Sequence, residues 1–405
     1  MNDGMLIVGA GLAGLTVAEA LRAEGYAGPV TLLGEEAHPP YHRPPLSKGY
    51  LLGETPEAQL TMRAPAMLAK RKIALETGVR VTAIDRSARE VTLADGSRRA
   101  YAGLALCTGS RARRLTLDGV DAGGVHTLRT LADAQAISAE LDRAHHIVVI
   151  GGGFIGLEIA AAARQKGKQV TVLETLDRLM ARVVAPLISR FYFDLHRANG
   201  VEFVLGGRVS ELVVSGGHIA AVRTGDGREF AADLVIVGIG IVPNAEIALA
   251  AGIDCDVGIV VDACSRTSDA AIVAAGDCTA CRLDNGSLRR LESIHNASEQ
   301  AKSAAAALLG KARAFNATPW FWSEQYGVKL QMVGLNAGFD AMVTRGDPAQ
   351  RKFSAFYFRQ GKLIAADSMN LPGEHLHARK LLDQGLSPLP AQLADPAIAL
   401  SALLL

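Results

Sequence analysis

Apolar runs that lead into glycine-rich turns and then into helical patterns occur twice in this chain. The first copy begins with the apolar run at 5–8, and the second begins with the run at 147–150. In each copy apolar residues then recur at helical spacing, and a second short apolar run follows. The pattern predicts two β-α-β units. They consist of strands 5–8 and 30–33 with helix 12–24, and of strands 147–150 and 170–173 with helix 154–166.

The rest of the pattern predicts short strands and a few helices. Further strands are expected at 79–84, 90–93, 104–106 and 272–275, with several more between 201 and 237, and helices at 184–198 and 294–309. Aromatic residues concentrate after Pro319. There, alternating positions predict antiparallel strands at 328–334, 340–345, 352–358 and 362–368, closed by a helix at 373–384.

Each predicted strand-to-helix turn carries a GxGxxG pattern. In such a turn the first glycine permits the sharp bend, the second lets the backbone approach a pyrophosphate, and the third lets helix and strand pack closely. Backbone N–H groups and the positive end of the helix dipole then face the phosphates. The pattern predicts an α/β protein with two dinucleotide sites, whose nucleotides exchange electrons. The glycines are Gly9, Gly11 and Gly14, and Gly151, Gly153 and Gly156.

An acidic residue follows the second strand of each unit, Glu35 in the first and Glu174 in the second. A carboxylate at this position accepts hydrogen bonds from ribose hydroxyls. The alternative is an acid at a solvated strand end. At the second site the carboxylate would also repel a 2′-phosphate, and Arg178 lies four residues further on. We therefore expect NADH rather than NADPH at that site.

Composition narrows the class of protein. A chain of 405 residues is expected to form two or three domains. The formal net charge of +1 argues against bulk affinity for nucleic acid. The sequence has neither an apolar run long enough for a membrane span nor a secretory signal pattern. Five cysteines in a chain of this length do not indicate a disulfide framework. A cytoplasmic location is expected.

Further distinctive segments lie between and after the glycine turns. They are Pro44-Pro-Leu-Ser-Lys48, Thr108-Gly109, residues 238–244, Gly276-Asp277 and Pro319-Trp-Phe-Trp-Ser323. With the glycine turns, they make the chain resemble the FAD-dependent NADH:ferredoxin reductases of bacterial cytochrome P450 and aromatic-ring dioxygenase systems. The resemblance implies a glutathione-reductase-like fold. Its expected parts are an FAD-binding domain at 1–110 and 245–318, a NAD-binding domain at 111–244 and a C-terminal β-rich α+β domain at 319–405.

The resemblance also implies which residues contact the two nucleotides. Expected contacts with non-covalently bound FAD are Gly9, Gly11, Ala13, Gly14, Glu35, Lys48, Val81, Thr108, Gly109, Arg129, Asp277 and Ile294. Expected contacts with NADH are Gly151, Gly153, Ile155, Gly156, Glu158, Glu174 and Gly240. Lys48 beside the flavin and Glu158 beside the nicotinamide form the expected catalytic pair. The alternatives are a surface lysine that ends a proline-rich loop and a structural carboxylate near a helix N-terminus.

The same resemblance implies single-electron transfer to an acidic [2Fe–2S] ferredoxin in a transient complex. It places Trp320 and Trp322 at the surface where electrons leave, whereas aromatic packing within the β-rich domain is the alternative. A basic docking surface would complement the acidic partner. The expected basic residues are Arg289, Arg290, Lys302 and Lys329.

Cysteine placement separates this chain from other enzymes with the expected fold. Residues 38–48 hold no cysteine, and the first unit has no Cys-x4-Cys pair, so a dithiol mechanism is not expected. Cys278 and Cys281 make at most half a zinc site, and no metal is expected. Two alternatives stay open. One is an NADH oxidase or rubredoxin reductase of the same fold, and the other is a redox-sensing interaction protein that binds FAD and NADH.

Overall fold

The computed structural model describes residues 4–283 and 285–404. Its strands are β1 (Met5–Val8), β2 (Val30–Gly34), β3 (Ile73–Thr77), β4 (Val81–Asp85), β5 (Glu90–Leu93), β6 (Arg98–Ala100), β7 (Gly103–Leu106), β8 (Ser110–Ala112), β9 (Val125–His126), β10 (His146–Ile150), β11 (Gln169–Glu174), β12 (Val201–Leu205), β13 (Val209–Ser215), β14 (His218–Thr224), β15 (Glu229–Ala231), β16 (Leu234–Val237), β17 (Ile241–Pro243), β18 (Ile259–Val261), β19 (Ile272–Ala274), β20 (Thr279–Arg282), β21 (Leu288–Arg289), β22 (Trp320–Gln325), β23 (Val328–Gly334), β24 (Ala341–Asp347), β25 (Lys352–Arg359) and β26 (Lys362–Met369).

The α-helices are α1 (Leu12–Ala23), α2 (Gly49–Leu52), α3 (Pro65–Lys70), α4 (Leu131–Leu141), α5 (Phe154–Gln165), α6 (Pro186–Ala198), α7 (Glu246–Ala250), α8 (Ile294–Leu308), α9 (Pro372–Asp383) and α10 (Pro390–Ala394). Short 3-10 helices cover Pro44–Ser47, Glu57–Gln59, Pro348–Gln350 and Leu400–Leu404.

The chain divides into two compact units, each assembled from separate segments. Unit 1 contains the residues up to His42, Glu57–Arg111 and Val242–Pro319, and unit 2 contains Arg43–Pro56, Ala112–Ile241 and the residues from Trp320 onward. The proline-rich segment that ends near Lys48 thus belongs to unit 2. The three-domain boundaries expected from the sequence stay a prediction.

Unit 1 is built on a five-stranded parallel sheet in the order β19-β7-β1-β2-β3. Its strands are apolar because both faces are covered. Helices α1 and α8 pack together on one face, whereas the antiparallel sheet β4-β5-β6 contributes to the core on the other. The parallel strands β1, β7 and β19 end at the same edge of the sheet, and Gly276, after β19, lies beside Ala13 of α1.

Unit 2 contains a second parallel sheet, in the order β12-β11-β10-β16-β9. The antiparallel sheet β13-β14-β15 covers one of its faces, where Val148 and Val235 pack against Leu212 and Val222. Leu157 of α5 belongs to a different core cluster, shared with α6 and the C-terminal sheet. The glycine turn at the end of β10 is therefore supported by two separate cores.

The C-terminal part of unit 2 is a five-stranded antiparallel sheet in the order β22-β23-β26-β25-β24. Because side chains alternate along a strand, β25 contributes to two cores. Phe353 and Tyr357 pack in the cluster that contains Tyr192 of α6, whereas Phe356 and Phe358 pack in the cluster that contains residues of α9 and α10.

The hydrophobic pattern predicts the long elements well and some short ones not at all. Helices α1, α5 and α8 are observed within one residue of the predicted ends. The pattern does not predict β3, α4 or β22. Helix α4 begins with a capping box, in which Thr130 and Asp133 each accept from the other's backbone N–H. In β22 the aromatic residues are half-buried on both faces, so polar and apolar positions do not alternate.

Removing the hydroxyl group from two buried tyrosines of unit 2 is expected to change stability in opposite directions. The Tyr357 hydroxyl donates to Asp367 Oδ2 at 2.7 Å, whereas the buried Tyr192 hydroxyl has no hydrogen-bond partner among the described residues. Tyr192→Phe removes an unsatisfied polar group and is expected to raise the free energy of unfolding by about 1 kcal/mol. Tyr357→Phe is expected to lower it by about 1–2 kcal/mol. Scanning calorimetry measures both, and an equal loss in the two variants contradicts the prediction.

Candidate functional site

The first glycine turn, between β1 and α1, has no room for a side chain at two of its three glycines. Gly9 has a φ of +107°, and a Cβ there would lie 2.1 Å from the carbonyl oxygen of Cys107. A Cβ on Gly14 would lie 1.9 Å from the carbonyl oxygen of Gly9. Gly11 instead faces open space. The turn is therefore packed from behind and open where a phosphate would approach.

The second turn, between β10 and α5, has the same geometry. Gly151 has a φ of +110°, and a Cβ there would lie 2.4 Å from the carbonyl oxygen of Gly238. A Cβ on Gly156 would lie 2.3 Å from the carbonyl oxygen of Gly151, whereas Gly153 faces open space. The two turns therefore require glycine at the same two positions, the first and the third, and are open at the second.

Neither of the helices after these turns is capped by a side chain. Gly11 and Gly153 are the N-cap residues of α1 and α5, and neither helix has a side-chain cap or an acidic residue in its first turn. The first N–H groups of a helix have no intrahelical partner and carry the positive end of its dipole. Both turns therefore fit the pyrophosphate of a dinucleotide.

Glu174, at the end of β11, is held by the second glycine turn. Its Oε2 accepts from the backbone N–H of Gly152 at 2.7 Å, and its Oε1 accepts from that of Leu176 at 2.8 Å. These bonds orient the carboxylate next to the turn. This placement beside the turn is compatible with the predicted contact between Glu174 and a ribose, which stays a prediction.

Glu35 in unit 1 has a different environment. The register of the sheets places Leu33 opposite Val8 and Leu173 opposite Ile150. Glu174 therefore follows the paired position directly, whereas Glu35 lies one residue further along its chain. The Glu35 side chain is exposed and lies 3.6 Å from Arg80 at the nearest approach.

Unit 1 brings Asp277 and its neighbours to the start of α1. A Cβ on Gly276 would lie 3.1 Å from the Cβ of Ala13, and the Gly276 N–H donates to Gln300 Oε1 at 2.8 Å. Asp277 accepts from Ser110 Oγ at 3.1 Å. Sequence reasoning did not identify Ser110 or Gln300, because neither belongs to a recognisable motif.

The other residues of unit 1 predicted to contact FAD occupy ends of strands and helices. The Thr108 hydroxyl donates to the carbonyl oxygen of Asn244 at 2.5 Å, and Gly109 has a φ of +64°. Val81 is buried at the start of β4. Ile294 is the first residue of α8, whose N-terminus is capped by the preceding serine. Their contact with FAD stays a prediction.

In unit 2, the half-buried Lys48 and the buried Glu158 form an ion pair. Lys48 Nζ lies 2.6 Å from Glu158 Oε2, and the Ser47 hydroxyl donates to the same oxygen at 2.5 Å. The 3-10 helix of the proline-rich segment packs against α5 and so presents both residues to Glu158. The Glu158 side chain is only 4% exposed, so these partners replace the water that a carboxylate otherwise requires.

A second set of polar side chains reaches the other oxygen of Glu158. The Ser323 hydroxyl donates to Oε1 at 2.6 Å, and Gln325 Nε2 donates to Ser323 Oγ at 3.1 Å. His196 Nε2 lies 2.6 Å from Gln325 Oε1. Sequence reasoning missed all three residues. The available signal was the presence of two polar residues on one face of a strand whose third residue on that face, Phe321, is aromatic.

The remaining residues of unit 2 that are predicted to contact a nucleotide lie in loops and at a helix end. The Arg129 N–H donates to Asp133 Oδ2 at 2.9 Å, and its carbonyl oxygen accepts from Arg43 at 2.6 Å. Ile155, in the first turn of α5, is 38% exposed, which is unusual for isoleucine and leaves its side chain available to a ligand. Gly240 is exposed, with a φ of +103°.

The residues predicted to bind the electron acceptor fall into both units. In unit 1, Lys302 pairs with Glu299 and Arg290 pairs with Glu292, whereas Arg289 is half-buried. The sequence prediction did not include these acidic neighbours, which reduce the local positive charge.

In unit 2, Trp320 and Trp322 lie on the same face of β22 with ring centroids 5.5 Å apart. The Arg379 guanidinium lies 6.0 Å from the Trp320 ring, in cation–π geometry. Lys329 is exposed on the neighbouring strand β23. An aromatic pair in contact with one cation therefore lies on β22, and Lys329, whose register partner on β22 is Glu324, adds a second cation on β23.

Thiol and metal chemistry have little support in the described residues. The five cysteines are free, and burial raises the pKa of both Cys107 and Cys278, which makes them poor nucleophiles. Across 4–283 and 285–404, no group of three or more histidine, cysteine, aspartate or glutamate residues is arranged to hold a metal ion. No helix in these ranges has both the length and the apolarity to span a membrane.

Comparison with known proteins identifies the family. Residues 4–301 match the pyridine nucleotide-disulphide oxidoreductase model, and residues 320–404 match the reductase C-terminal model. The chain is 43% identical to rhodocoxin reductase of Rhodococcus erythropolis, over 96% of this chain and 92% of that protein. It is 44% identical to the ferredoxin–NAD(+) reductase component of the anthranilate 1,2-dioxygenase system of Burkholderia cepacia, over 99% of each.

A solved structure shows the same fold. The chain matches the covalent putidaredoxin reductase–putidaredoxin complex with a TM-score of 0.96 and 42% identity, covering 99% of this chain and 98% of that one. Two parallel dinucleotide-binding sheets followed by a reductase C-terminal domain define a class of flavoprotein oxidoreductases. The chain belongs to the pyridine nucleotide-disulphide oxidoreductase family, within the group of ferredoxin and putidaredoxin reductases. This membership confirms the predicted fold and reductase class and implies binding of FAD and NAD(P)H.

Valine at the two open glycines is expected to separate the two nucleotide sites. Neither Gly11 nor Gly153 has a protein atom near its Cβ position, so the larger side chain obstructs only the ligand. Gly11→Val is expected to yield protein with little flavin absorbance. Gly153→Val is expected to retain flavin and to raise the KM for NADH by about tenfold or more. Absorbance spectra and steady-state kinetics measure these effects, and the reverse pattern would exchange the two assignments.

Proposed function

We propose that this enzyme oxidises NADH with a non-covalently bound FAD and delivers single electrons to an acidic [2Fe–2S] ferredoxin. That ferredoxin would serve a cytochrome P450 or a ring-hydroxylating dioxygenase. The observation that carries the proposal is the pair of glycine turns, each followed by a helix without a side-chain cap. The first β-α-β unit also lacks a redox-active cysteine pair. Its relatives, among them the ferredoxin–NAD(+) reductase component of a dioxygenase system, support the choice of acceptor.

When bound, FAD would supply the chemistry that protein side chains lack, namely acceptance of a hydride and release of single electrons. The chain itself binds and orients the nucleotides. In unit 1 the open Gly11 turn is the proposed contact for the pyrophosphate of FAD, and Asp277, beside the start of α1, is the proposed contact for the ribityl chain. In unit 2 the Gly153 turn and Glu174 are the proposed contacts for the pyrophosphate and ribose of NADH.

Glu158 is the proposed electrostatic contributor to hydride transfer. When a hydride leaves NADH, the nicotinamide ring becomes positively charged. A carboxylate fixed nearby stabilises the transition state more than the neutral reactant, which raises the rate of the chemical step. Lys48 and Ser47 hold Oε2 and make a buried negative charge tolerable.

The choice of NADH over NADPH rests on Glu174. Its carboxylate is fixed by two backbone N–H groups, so it cannot easily turn away from a 2′-phosphate. Arg178 is engaged with the carbonyl oxygens of Val184 and Ala181, at 2.8 and 2.7 Å. The nearest guanidinium in the sequence is therefore already occupied by hydrogen bonds to the backbone.

Removing the Glu174 carboxylate tests the cofactor preference. Glu174→Ala is expected to shift the ratio of kcat/KM for NADPH to that for NADH upward by about tenfold, because the like-charge repulsion is lost. The matched control is Glu202→Ala, an exposed glutamate on the adjacent strand β12, which should leave the ratio unchanged. Steady-state kinetics with both nucleotides measure the ratio, and an equal shift in the two variants contradicts the prediction.

An acceptor assay tests the function itself. The purified protein should be yellow and should bleach on anaerobic addition of NADH. Reduction of cytochrome c by NADH should then depend on an added acidic [2Fe–2S] ferredoxin and should weaken as salt rises.

Four outcomes of this assay oppose the proposal. Equal cytochrome c reduction with and without ferredoxin argues against a ferredoxin acceptor. Faster transfer to rubredoxin indicates a rubredoxin reductase, and rapid consumption of oxygen indicates an NADH oxidase. Bleaching by NADH without electron delivery to any acceptor supports a redox-sensing role.

A further inference from the structure

We propose that Ser323 and Gln325 are positioning residues for Glu158, through a hydrogen-bond chain that begins at His196 and ends at Glu158 Oε1. The inference rests on the proposed function, because it gives these residues a part in hydride transfer from NADH. All members of the chain belong to unit 2, in which β22 supplies Ser323 and Gln325 and α6 supplies His196.

The hydrogen bonds of this chain all run in one direction, from His196 toward Glu158. Gln325 Nε2 donates to Ser323 Oγ, which leaves Gln325 Oε1 facing His196 Nε2 as an acceptor. His196 must therefore carry its proton on Nε2. The Ser323 hydroxyl oxygen already accepts, and its own hydrogen points at Glu158 Oε1. Each donor is oriented by the one before it, so the arrangement specifies where the last hydroxyl points.

The origin of this chain is well defined. His196 is fully buried, and burial lowers its pKa to about 4, so the ring is neutral and has one N–H to donate at neutral pH. Edge contacts with Phe203 and Tyr326, at centroid distances of 6.0 and 5.0 Å, hold the ring in place. A fixed neutral imidazole therefore determines the orientation of the Gln325 amide.

At the other end, donors meet both oxygens of the Glu158 carboxyl group. Ser323 donates to Oε1, while Ser47 and Lys48 contact Oε2. Donors on both oxygens are the arrangement that suits a carboxylate rather than a carboxylic acid. They also prevent rotation of the group, so the charge is held in one orientation without reorganisation during the reaction.

Packing alone does not explain a serine at this position. Phe321, two residues earlier on the same face of β22, packs on Phe154 of α5 with ring centroids 4.8 Å apart. An apolar side chain at position 323 would continue that contact without a buried polar group. The serine adds a hydroxyl group that accepts from Gln325 and donates to Glu158.

Another serine of the same sheet offers a matched control for Ser323. Ser354 of β25 is also fully buried, and it also donates to a glutamate at 2.6 Å, namely Glu374. Glu374 pairs with Arg345 and has no proposed role in nucleotide binding. Ser354→Ala therefore removes a comparable hydrogen bond from the same sheet without affecting Glu158.

The experiment compares Ser323→Ala, Ser323→Thr and Ser354→Ala in the flavin-loaded enzyme. Ser323→Ala is expected to lower the limiting rate of flavin reduction by NADH by about tenfold and to leave the KM for NADH within about twofold. Ser323→Thr, which keeps the hydroxyl, should recover most of the rate. Ser354→Ala should match the wild type. Gln325→Met, which frees the Ser323 hydroxyl to turn, should lower the rate by a smaller factor.

A binding measurement gives a readout independent of activity. Glu158 is proposed to face the nicotinamide, so Ser323→Ala should weaken NAD⁺, whose ring is cationic, by several-fold in calorimetry. ADP-ribose, which has no nicotinamide, should bind as it does to the wild type. Equal weakening of both ligands, or equal rates for Ser323→Ala and Ser354→Ala, would overturn the positioning role. Failure of the wild type to oxidise NADH would instead refute the proposed function.

Discussion

The organisation of unit 2 depends on the ion pair and the hydrogen bonds that surround the buried Glu158 carboxylate. A carboxylate with 4% of its surface exposed loses most of its hydration, and this loss is compensated only if donors surround it. The donors come from segments far apart in the chain, the proline-rich segment that ends near Lys48 and the strand β22 that carries Ser323. Both must be in place around α5 before the charge is tolerated. The same contacts that satisfy the carboxylate also give it one orientation, so folding and positioning are consequences of a single requirement.

The glycine turns show how one local geometry can serve two different ligands. A Cβ on Gly9, Gly14, Gly151 or Gly156 would lie 2.4 Å or less from a backbone carbonyl oxygen, so only glycine is accommodated. The turns themselves do not distinguish the nucleotides. The distinction comes from their surroundings, since Glu174 is hydrogen-bonded to its turn whereas Glu35 lies one residue further along and is exposed.

The sequence predicts those parts of the fold that depend on contacts between near neighbours in the chain. The strand–glycine–helix order at Gly9 and Gly151 is such a case, because the turn, the strand and the helix all lie within about 25 residues. The comparisons confirm the fold and the reductase class that followed from it. Helix α4 was missed because its start depends on reciprocal hydrogen bonds between Thr130 and Asp133, which a hydrophobic pattern does not contain.

The candidate site likewise has a part that the sequence predicts and a part that it does not. Periodicity and glycine spacing determined by themselves that the chain has two dinucleotide-binding units, and the Pro-Pro-Leu-Ser-Lys segment drew attention to Lys48. Only the tertiary structure decided what surrounds Glu158, because Ser47, His196, Ser323 and Gln325 come from three segments separated by more than a hundred residues in sequence. No single-residue signal marks a serine or a glutamine as part of such a chain. A buried hydrogen bond is defined by the three-dimensional proximity of its partners, and that proximity exists only after the chain has folded.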